Sequence, residues 1–354
     1  MASSTESDSC VRLLLNHLFS LKGSILIVAD EHWSEVDWYS AINITNCSLN
    51  LISNRWDVHR KAKAAGLDSL FSDFNFSQYS SKQFDSVVYR VSKERAATHH
   101  VINQAARVLK FRASLYLSGK KNEGIKNYVK QSSNLLRHRT HAKKTGSDYC
   151  ALIKKNSLLV KPLPDNNYAR LRTLKSLREG KYLSKPGIFG WDKIDRGSAF
   201  LIDNLADSIR NLSINSTSVL DLGCGYGYIA CEASNHNFKY IVATDNNAAA
   251  IAACQENFGR LLKVNYDVIA SDAGSTLNRA FDLILCNPPF HQGFSVRPVF
   301  ISKFLRNTSN LLTKSGKAIF VVNKFIPVEK IALDYFNNVS VIKSNDTFKL
   351  VQLN

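Results

Sequence analysis

The 354-residue chain lacks the features that mark several protein classes. It has only 7 prolines and 16 glycines, too few for a collagen-like or low-complexity chain, and its 45% hydrophobic content is enough to build a packed core. No apolar run reaches the roughly 18–20 residues that a bilayer-spanning helix needs. The opening sequence MASSTESDSC is acidic where a secretory signal would be basic. We therefore expect a cytoplasmic protein with no membrane partner, and the length predicts two domains.

Cysteine patterns typical of metal sites and disulfide frameworks are also missing. The seven cysteines are an odd number, and they are scattered without a CxxC pair or Cys/His ligand spacing. The sequence therefore predicts reduced thiols and no metal site.

Acidic residues are scarce in one part of the chain. The formal net charge is +17, and residues 101–190 hold 20 basic against 4 acidic side chains. Such a band is typical of a protein that binds a phosphate backbone. A solvated surface, or a surface that binds an anionic membrane, would also explain the basic charge. The candidate phosphate contacts are Lys120, Lys121, Lys126, Arg137, Arg139, Lys143 and Lys144.

Short apolar runs alternate with helical patterns in both halves of the chain. Predicted strands at 24–29, 47–52, 84–91 and 113–118 are followed by a second series at 217–223, 239–245, 281–287 and 317–323. This alternation is typical of a parallel sheet with crossover helices. The series are offset by about 195 residues, which predicts two α/β units of one design. Two strand-like runs from Val339 onward predict a terminal hairpin.

A glycine-rich turn follows the first strand of the second series. Asp221, Gly223, Gly225 and Gly227 form the pattern D-x-G-x-G-x-G before a helix-like stretch at 228–234. Glycines let a ligand approach the backbone, and Asp245 ends the next strand, where a carboxylate can bind ribose hydroxyls. An NAD-type dehydrogenase or an S-adenosylmethionine (SAM) enzyme fits this pattern. An acid before the first glycine favours SAM.

The sequence Asn287-Pro288-Pro289-Phe290 follows another predicted strand. Two prolines make the turn rigid and remove backbone donors, so carbonyl acceptors remain. The carbonyls of Asn287 and Pro288 can hold a planar exocyclic amine, and Phe290 can stack on its ring. We predict that these four residues carry catalysis by positioning the amine, and that His291 contacts the base or its backbone.

These motifs resemble those of class I SAM-dependent methyltransferases, and more narrowly the ribosomal RNA small subunit methyltransferase C family. The similarity rests on KPGIFGWDKIDRGSAFL (185–201), DLGCGYG (221–227), Asp245, IASDAG (269–274), NPPFHQG (287–293), VVNKFIP (321–327) and TFKLVQL. It implies two tandem Rossmann-like domains, each a seven-stranded, mostly parallel sheet with a C-terminal antiparallel hairpin. The first, at 1–165, would be degenerate, with no SAM site and a supporting role in RNA binding; the second, at 166–354, would be catalytic.

The same resemblance implies roles for further residues. Asp272 would bind the adenine amine of SAM, Phe189 would lie at the cofactor mouth, and Asn287 would also line the cofactor site. The expected activity is methylation of the exocyclic N2 of a guanine in 16S ribosomal RNA by a monomer, with SAM as methyl donor. The alternatives are a guanine-N2 methyltransferase of 23S ribosomal RNA and a non-catalytic assembly factor with a vestigial SAM site. A release-factor or DNA adenine methyltransferase fits less well.

Overall fold

A computed structural model describes residues 7–43, 47–158, 161–174, 181–210, 212, 217–289 and 298–354. The chain forms two compact units, Met1–Arg170 and Leu171–Asn354. The sequence places the boundary five residues earlier, after 165. No described helix is both long and apolar enough to cross a bilayer.

The first unit is built on one seven-stranded sheet. Its strand order is β3-β2-β1-β4-β5-β7-β6, and all neighbours are parallel except β5–β7 and β6–β7. The strands are β1 (Ser24–Ala29), β2 (Ser48–Ser53), β3 (Asp68–Phe71), β4 (Phe84–Arg90), β5 (Leu109–Lys120), β6 (Lys143–Thr145) and β7 (Asp148–Lys154). The helices are α1 (Ser9–Leu18), α2 (Trp38–Asn43), α3 (Trp56–Ala64), α4 (Arg95–Val108) and α5 (Ile125–Leu136), with 3-10 turns at Glu31–Trp33 and Lys121–Glu123.

The second unit has a seven-stranded sheet of the same order, β12-β11-β10-β13-β14-β16-β15. Its strands are β10 (Ser218–Leu222), β11 (Tyr240–Asp245), β12 (Tyr266–Ala270), β13 (Phe281–Cys286), β14 (Leu312–Asn323), β15 (Val339–Ser344) and β16 (Phe348–Leu353), and a small separate sheet pairs β8 (Arg172–Thr173) with β9 (Leu183–Ser184). The helices are α6 (Arg196–Asp203), α7 (Leu205–Ser208), α8 (Tyr228–Ala233), α9 (Ala248–Leu261), α10 (Pro298–Leu311) and α11 (Val328–Ala332), with a 3-10 turn at Ser234–His236. The tandem α/β fold and the antiparallel terminal hairpin are confirmed.

The central strands are buried because helices cover both faces of each sheet. In β1 and β13 nearly every side chain is buried, which explains why both sequences are largely apolar. β5 and β14 are each 12 residues long, about twice the predicted length. Their first residues include charged side chains that interrupt the apolar run, so the sequence reveals only the second half of each strand.

One repeated contact fixes which residues correspond between the two units. Asp85 accepts a hydrogen bond from the Ser24 amide at 2.9 Å, and Asp282 accepts one from the Ser218 amide at 2.9 Å. Both aspartates are the second residue of the strand that pairs with the central strand. Counting five residues onward, Arg90 in the first unit stands where Asn287 stands in the second.

Candidate active site

The predicted glycine-rich turn lies at the carboxyl end of β10 and begins α8. The amides of Gly223 and Cys224 donate to the carbonyl of Thr244 at 2.9 and 3.0 Å, which ties the turn to β11. Gly227 has φ +87°, and a Cβ there would lie 2.9 Å from Cys254 Sγ and from the Phe258 ring. A side chain at position 227 would therefore be both strained and in collision.

More space surrounds the two glycines before it. Among the described residues, a Cβ built on Gly223 or Gly225 would meet no heavy atom closer than 4.0 Å, the neighbour of Gly225 being Ile188. The turn therefore leaves room beside the backbone at these two positions. The segment that carries Ile188 is held near β11, because Asn247 Nδ2 donates to the Gly187 carbonyl at 2.7 Å. Phe189, predicted to line the cofactor mouth, has a side chain that is 61% exposed.

Two carboxylates flank the turn. Asp245 accepts from the Gly225 amide at 3.0 Å and from the Asn247 amide at 2.8 Å. Asp221 is fully buried, and its Oδ2 accepts from the Ala230 amide at 3.0 Å. Its Oδ1 has no hydrogen-bond partner in the described part of the chain. Burial, with a smaller contribution from the charge of Asp245, raises the pKa of Asp221 to about 7, although the Ala230 amide opposes the shift.

A third carboxylate lies beyond the next strand. Asp272 follows β12 and forms an ion pair with Lys303 of α10. Because β10, β11, β12 and β13 are parallel neighbours, their carboxyl ends meet at one edge of the sheet. The structure therefore gathers Asp221, Asp245 and Asp272 there, and this acidic edge suits a ligand that carries positive charge.

The Asn-Pro-Pro corner stands at the same edge, immediately after β13. Asn287 and Pro289 are half-buried and Pro288 is buried. The Asn287 amide nitrogen donates to Asp195 Oδ1 at 2.6 Å and to Ser198 Oγ at 2.8 Å. Phe290 and His291, the other predicted substrate contacts, lie outside the described residues.

Two contributors to this site were missed by the sequence motifs. Asp195 caps α6, because its Oδ1 accepts from the Ser198 amide at 2.9 Å. Asn257, fully buried on α9, bonds both the amide and the carbonyl of Leu183 and also the carbonyl of Tyr226 in the glycine-rich turn, all at 2.8 Å. An asparagine in the apolar stripe of a helix is the one signal that marks Asn257. For Asp195 the cap sequence reveals the helix start but not the contact with Asn287.

The corresponding corner of the first unit has different chemistry. Arg90 is 1% exposed and makes a bidentate pair with Glu123 at 2.9 Å, with Asp8 at 3.3 Å from the same guanidinium. Val91 and Ser92 replace the two prolines. Ser53 ends β2 where Asp245 ends β11, and Ala29 of β1 takes the position of Gly223. A buried ion cluster therefore fills the position where the second unit has its acceptor.

Five of the seven predicted phosphate contacts lie towards one end of the first sheet. Lys143 and Lys144 are on the edge strand β6, Lys120 ends β5 two strands away, and Lys121 and Lys126 follow it. Arg137 and Arg139 come after the other end of α5, about 18 Å along the helix. All seven are exposed, and no ion pair among the described residues includes any of them. The Lys126 ammonium lies 4.9 Å from the centre of the Tyr149 ring.

The cysteines near the site are structural. Cys224, Cys231 and Cys286 are buried, and burial raises the pKa of each thiol well above its ordinary value. They are therefore not thiolate nucleophiles.

Comparisons with known proteins agree with this geometry. The family described as "Methyltransferase small domain" matches residues 179–352, and "Methyltransferase small domain N-terminal" matches residues 12–156. Two relatives are called ribosomal RNA small subunit methyltransferase C. That of Psychromonas ingrahamii is 26% identical over 76% of this chain and 75% of its own length, and that of Shewanella pealeana is 28% identical over 75% and 76%.

A solved structure shares the fold over almost the whole chain. It is the T. thermophilus 16S rRNA N2 G1207 methyltransferase in complex with AdoMet and guanosine, with a TM-score of 0.84, 23% identity, and coverage of 98% of this chain and 92% of that one. Both halves of the chain are thus covered by the match to this one structure. The chain belongs to the ribosomal RNA small subunit methyltransferase C family of class I methyltransferases.

Proposed function

We propose that the protein transfers a methyl group from SAM to the exocyclic N2 of a guanine in 16S ribosomal RNA. The observation that carries this proposal is the meeting, at one sheet edge, of the glycine-rich turn, three aspartates and the Asn-Pro-Pro corner. The relatives' name supplies the small-subunit RNA, and the T. thermophilus protein supplies the guanine N2.

The residues around the turn fit SAM. Gly223 and Gly225 leave room for a ligand against the backbone, and Asp245 is placed to accept the ribose hydroxyls. Asp221 Oδ1, which has no hydrogen-bond partner among the residues that the structure describes, suits the cationic amino group. Asp272 would accept the adenine amine, with Phe189 at the mouth of the site.

The Asn-Pro-Pro corner would hold the target amine. When bound, SAM supplies a sulfonium methyl carbon, which the amine nitrogen attacks while the electron pair of the carbon–sulfur bond returns to sulfur. Asn287 Oδ1 and the Pro288 carbonyl accept the two amine hydrogens and aim the nitrogen lone pair, and Phe290 and His291 hold the base. The extra proton leaves to water after transfer, so no strong general base is needed.

The first unit would bind RNA without catalysing. Its corner is filled by Arg90, and its exposed lysines at the β6 edge offer cations to the RNA backbone. Arg137 and Arg139 would reach a second part of the RNA. We further propose that the protein acts as a monomer, which sedimentation of the purified enzyme with and without RNA would test. We also propose that it acts in the cytoplasm, which fractionation of cells would test.

The test is transfer of labelled methyl groups from SAM to small subunits, deproteinised 16S RNA and 23S RNA that lack the modification. Label on the N2 of one 16S guanine, located by mass spectrometry, is the expected result. Label on 23S RNA only, or SAM binding without transfer to any RNA, would contradict it.

The Asn287→Ala variant tests the corner directly. We expect it to lower kcat by about a hundredfold, the loss typical when one preorganised group at a reacting centre is removed. SAM affinity, measured by calorimetry, should stay within about tenfold, since a single hydrogen bond is the most the variant removes from the cofactor.

A further inference from the structure

The direction in which Asn287 presents its side-chain carbonyl is set by α6. Its amide nitrogen donates to Oδ1 of Asp195, the N-cap of that helix, and to Oγ of Ser198 in the first turn. A carboxylate only accepts hydrogen bonds, so the side of the Asn287 amide that faces Asp195 must be the NH2 group. The carbonyl oxygen is therefore turned away from α6, and no described group donates to it.

The two acceptors are themselves held in place. Asp195 Oδ1 accepts from the Ser198 amide at 2.9 Å and faces the Ser198 hydroxyl at 3.4 Å. Ser198 is 9% exposed, and α6 packs against β14 and β16. The position of Asn287 thus depends on a capped helix fixed to the sheet rather than on a mobile loop.

Space beside the amide is kept by a glycine. A Cβ on Gly197 would lie 3.1 Å from Asp195 Oδ1, 3.3 Å from Phe348 Cε1 and 3.5 Å from Asn287 Nδ2. The first two distances are closer than ordinary contact, so a side chain at 197 would press on Asp195 and on the Phe348 ring while it touched the Asn287 amide at ordinary contact distance.

The first unit shows the same contact with different chemistry. Asp8 caps α1 and meets Arg90, just as Asp195 caps α6 and meets Asn287. In the first unit the carboxylate helps to balance a buried cation. In the second unit the partner is a neutral amide, so charge balance does not explain a carboxylate there. A charge-assisted hydrogen bond does explain it, because such a bond polarises the amide and makes its carbonyl a stronger acceptor.

We propose that Asp195 and Ser198 are positioning residues for methyl transfer: they orient and polarise the Asn287 amide so that its carbonyl faces the target amine. The proposal rests on the function given above, in which Asn287 holds that amine. Neither residue needs to touch SAM or RNA.

Three variants test this in the full-length protein. Asp195→Ala removes the charged acceptor, and kcat should fall by about tenfold to a hundredfold, the range for a hydrogen bond to a charged group. Asp195→Asn keeps a capping oxygen and should restore part of the rate. Ser198→Ala removes the weaker acceptor, and kcat should fall by about twofold to tenfold.

Measurements beside kcat separate positioning from a loss of folding. SAM affinity by calorimetry and KM for RNA should stay within about twofold, since neither ligand loses a contact. Ser234→Ala is the matched control for Ser198→Ala in the same unit and should keep the parent kcat. In the described part of the chain the Ser234 hydroxyl bonds only the Cys231 carbonyl, at 2.7 Å. Glu94→Ala, which removes the cap of α4 in the first unit, controls for the loss of a helix cap.

The outcomes distinguish this inference from the proposed function. If Asn287→Ala lowers kcat by about a hundredfold while Asp195→Ala and Ser198→Ala keep kcat within about twofold, the positioning role is wrong and the function stands. A loss of SAM affinity that parallels the loss of kcat would also overturn it. Asn287→Ala with the parent rate would instead overturn the amine-holding role itself. Should Asp195→Ala fail to fold, the test rests on Asp195→Asn, Ser198→Ala and Gly197→Ala. Gly197→Ala should lower kcat severalfold in a folded protein.

Discussion

At the scale of single residues, Asp221 and Asn287 show how one sheet edge can serve two ligands. Asp221 is a buried carboxyl whose second oxygen has no partner among the described residues, whereas Asn287 is a neutral amide with its donors satisfied and its acceptor available. The first is suited to a cation and the second to the hydrogens of an amine.

The titration of Asp221 predicts a pH dependence of SAM binding. Burial raises its pKa to about 7 against 3.8 in the unfolded chain, so the folded protein holds a proton that the unfolded chain releases. The stability it contributes is complete below about pH 4 and is lost as the pH rises through about 7. A cationic ligand binds the ionised form, so SAM affinity should rise by up to about tenfold between pH 6 and 8.

Calorimetry across this range, in buffers of different ionisation enthalpy, would also detect the released proton. Asp221→Asn should abolish the dependence. Asp282→Asn is the control and should retain it: hydrogen bonds from Ser218 outweigh burial and lower the pKa of Asp282, so that group is ionised throughout. A flat profile in the parent protein would contradict the prediction.

The burial of Arg90 predicts that its replacement lowers the free energy of unfolding of the first unit alone. Removing it leaves Glu123, itself 8% exposed, as an uncompensated buried charge. Arg90→Ala should lower the free energy of unfolding by about 3–5 kcal/mol, measured by urea titration. The double change Arg90→Met with Glu123→Leu removes both charges and should cost less, and neither variant should alter SAM affinity. Equal losses in both variants would argue against the charge explanation.

At the scale of elements, the sequence revealed those that are apolar and continuous. β1, β4, β10, β11 and β13 lie within a residue or two of their predictions because both faces of each are covered. β3 and β12 escaped prediction because they are short, with few buried side chains. The glycine-rich turn and the Asn-Pro-Pro corner could also be recognised in the sequence, because the residues of each motif are contiguous.

Contacts between distant elements could not be inferred in this way. Asp195 and Asn287 are 92 positions apart, and neither the helix cap nor the proline corner contains information about the other. Asn257 and Leu183 are 74 positions apart. Such pairs depend on how α6 and α9 pack on the sheet, and local periodicity does not encode that packing.

The junction of β10 and α8 predicts a strong effect of Gly227→Ala. Left-handed strain and collision with Cys254 and Phe258 should together cost about 2–4 kcal/mol of unfolding free energy and weaken SAM binding. Gly66→Ala is the matched control, because Gly66 has φ +96° but no atom of a described residue lies within 4 Å of a new Cβ. It should cost only the strain, about 1–2 kcal/mol. Similar losses in both variants would remove the collision from the explanation.

At the scale of the whole molecule, the proposed function assigns catalysis and RNA binding to different copies of one fold. The acidic edge of the second unit suits a cation, whereas the exposed lysines of the first suit phosphate. Both copies keep the same strand order, so their difference lies in the residues at the strand ends.

Neutralising the β6 edge should change the salt dependence of RNA binding. Lys143→Gln with Lys144→Gln removes two exposed cations, and the slope of log affinity against log salt should become shallower by about 1.5. The control is Lys61→Gln with Lys63→Gln, which changes two exposed lysines of α3. This helix packs on β2 and β3, near the opposite edge of the same sheet, so the slope should stay unchanged. Equal slopes for both pairs, from filter binding or fluorescence anisotropy, would remove β6 from the RNA interface.

The ion cluster around Arg90 makes it difficult to build an Asn-Pro-Pro corner into the first unit. Restoring an asparagine at position 90 would strand Glu123 and Asp8 beside each other, without the cation that both contact. The lost corner would therefore need coordinated replacement of at least three side chains, and each single step towards it would pass through a less stable protein. The ion cluster thus ties the chemistry of the first corner to the folding of its own unit.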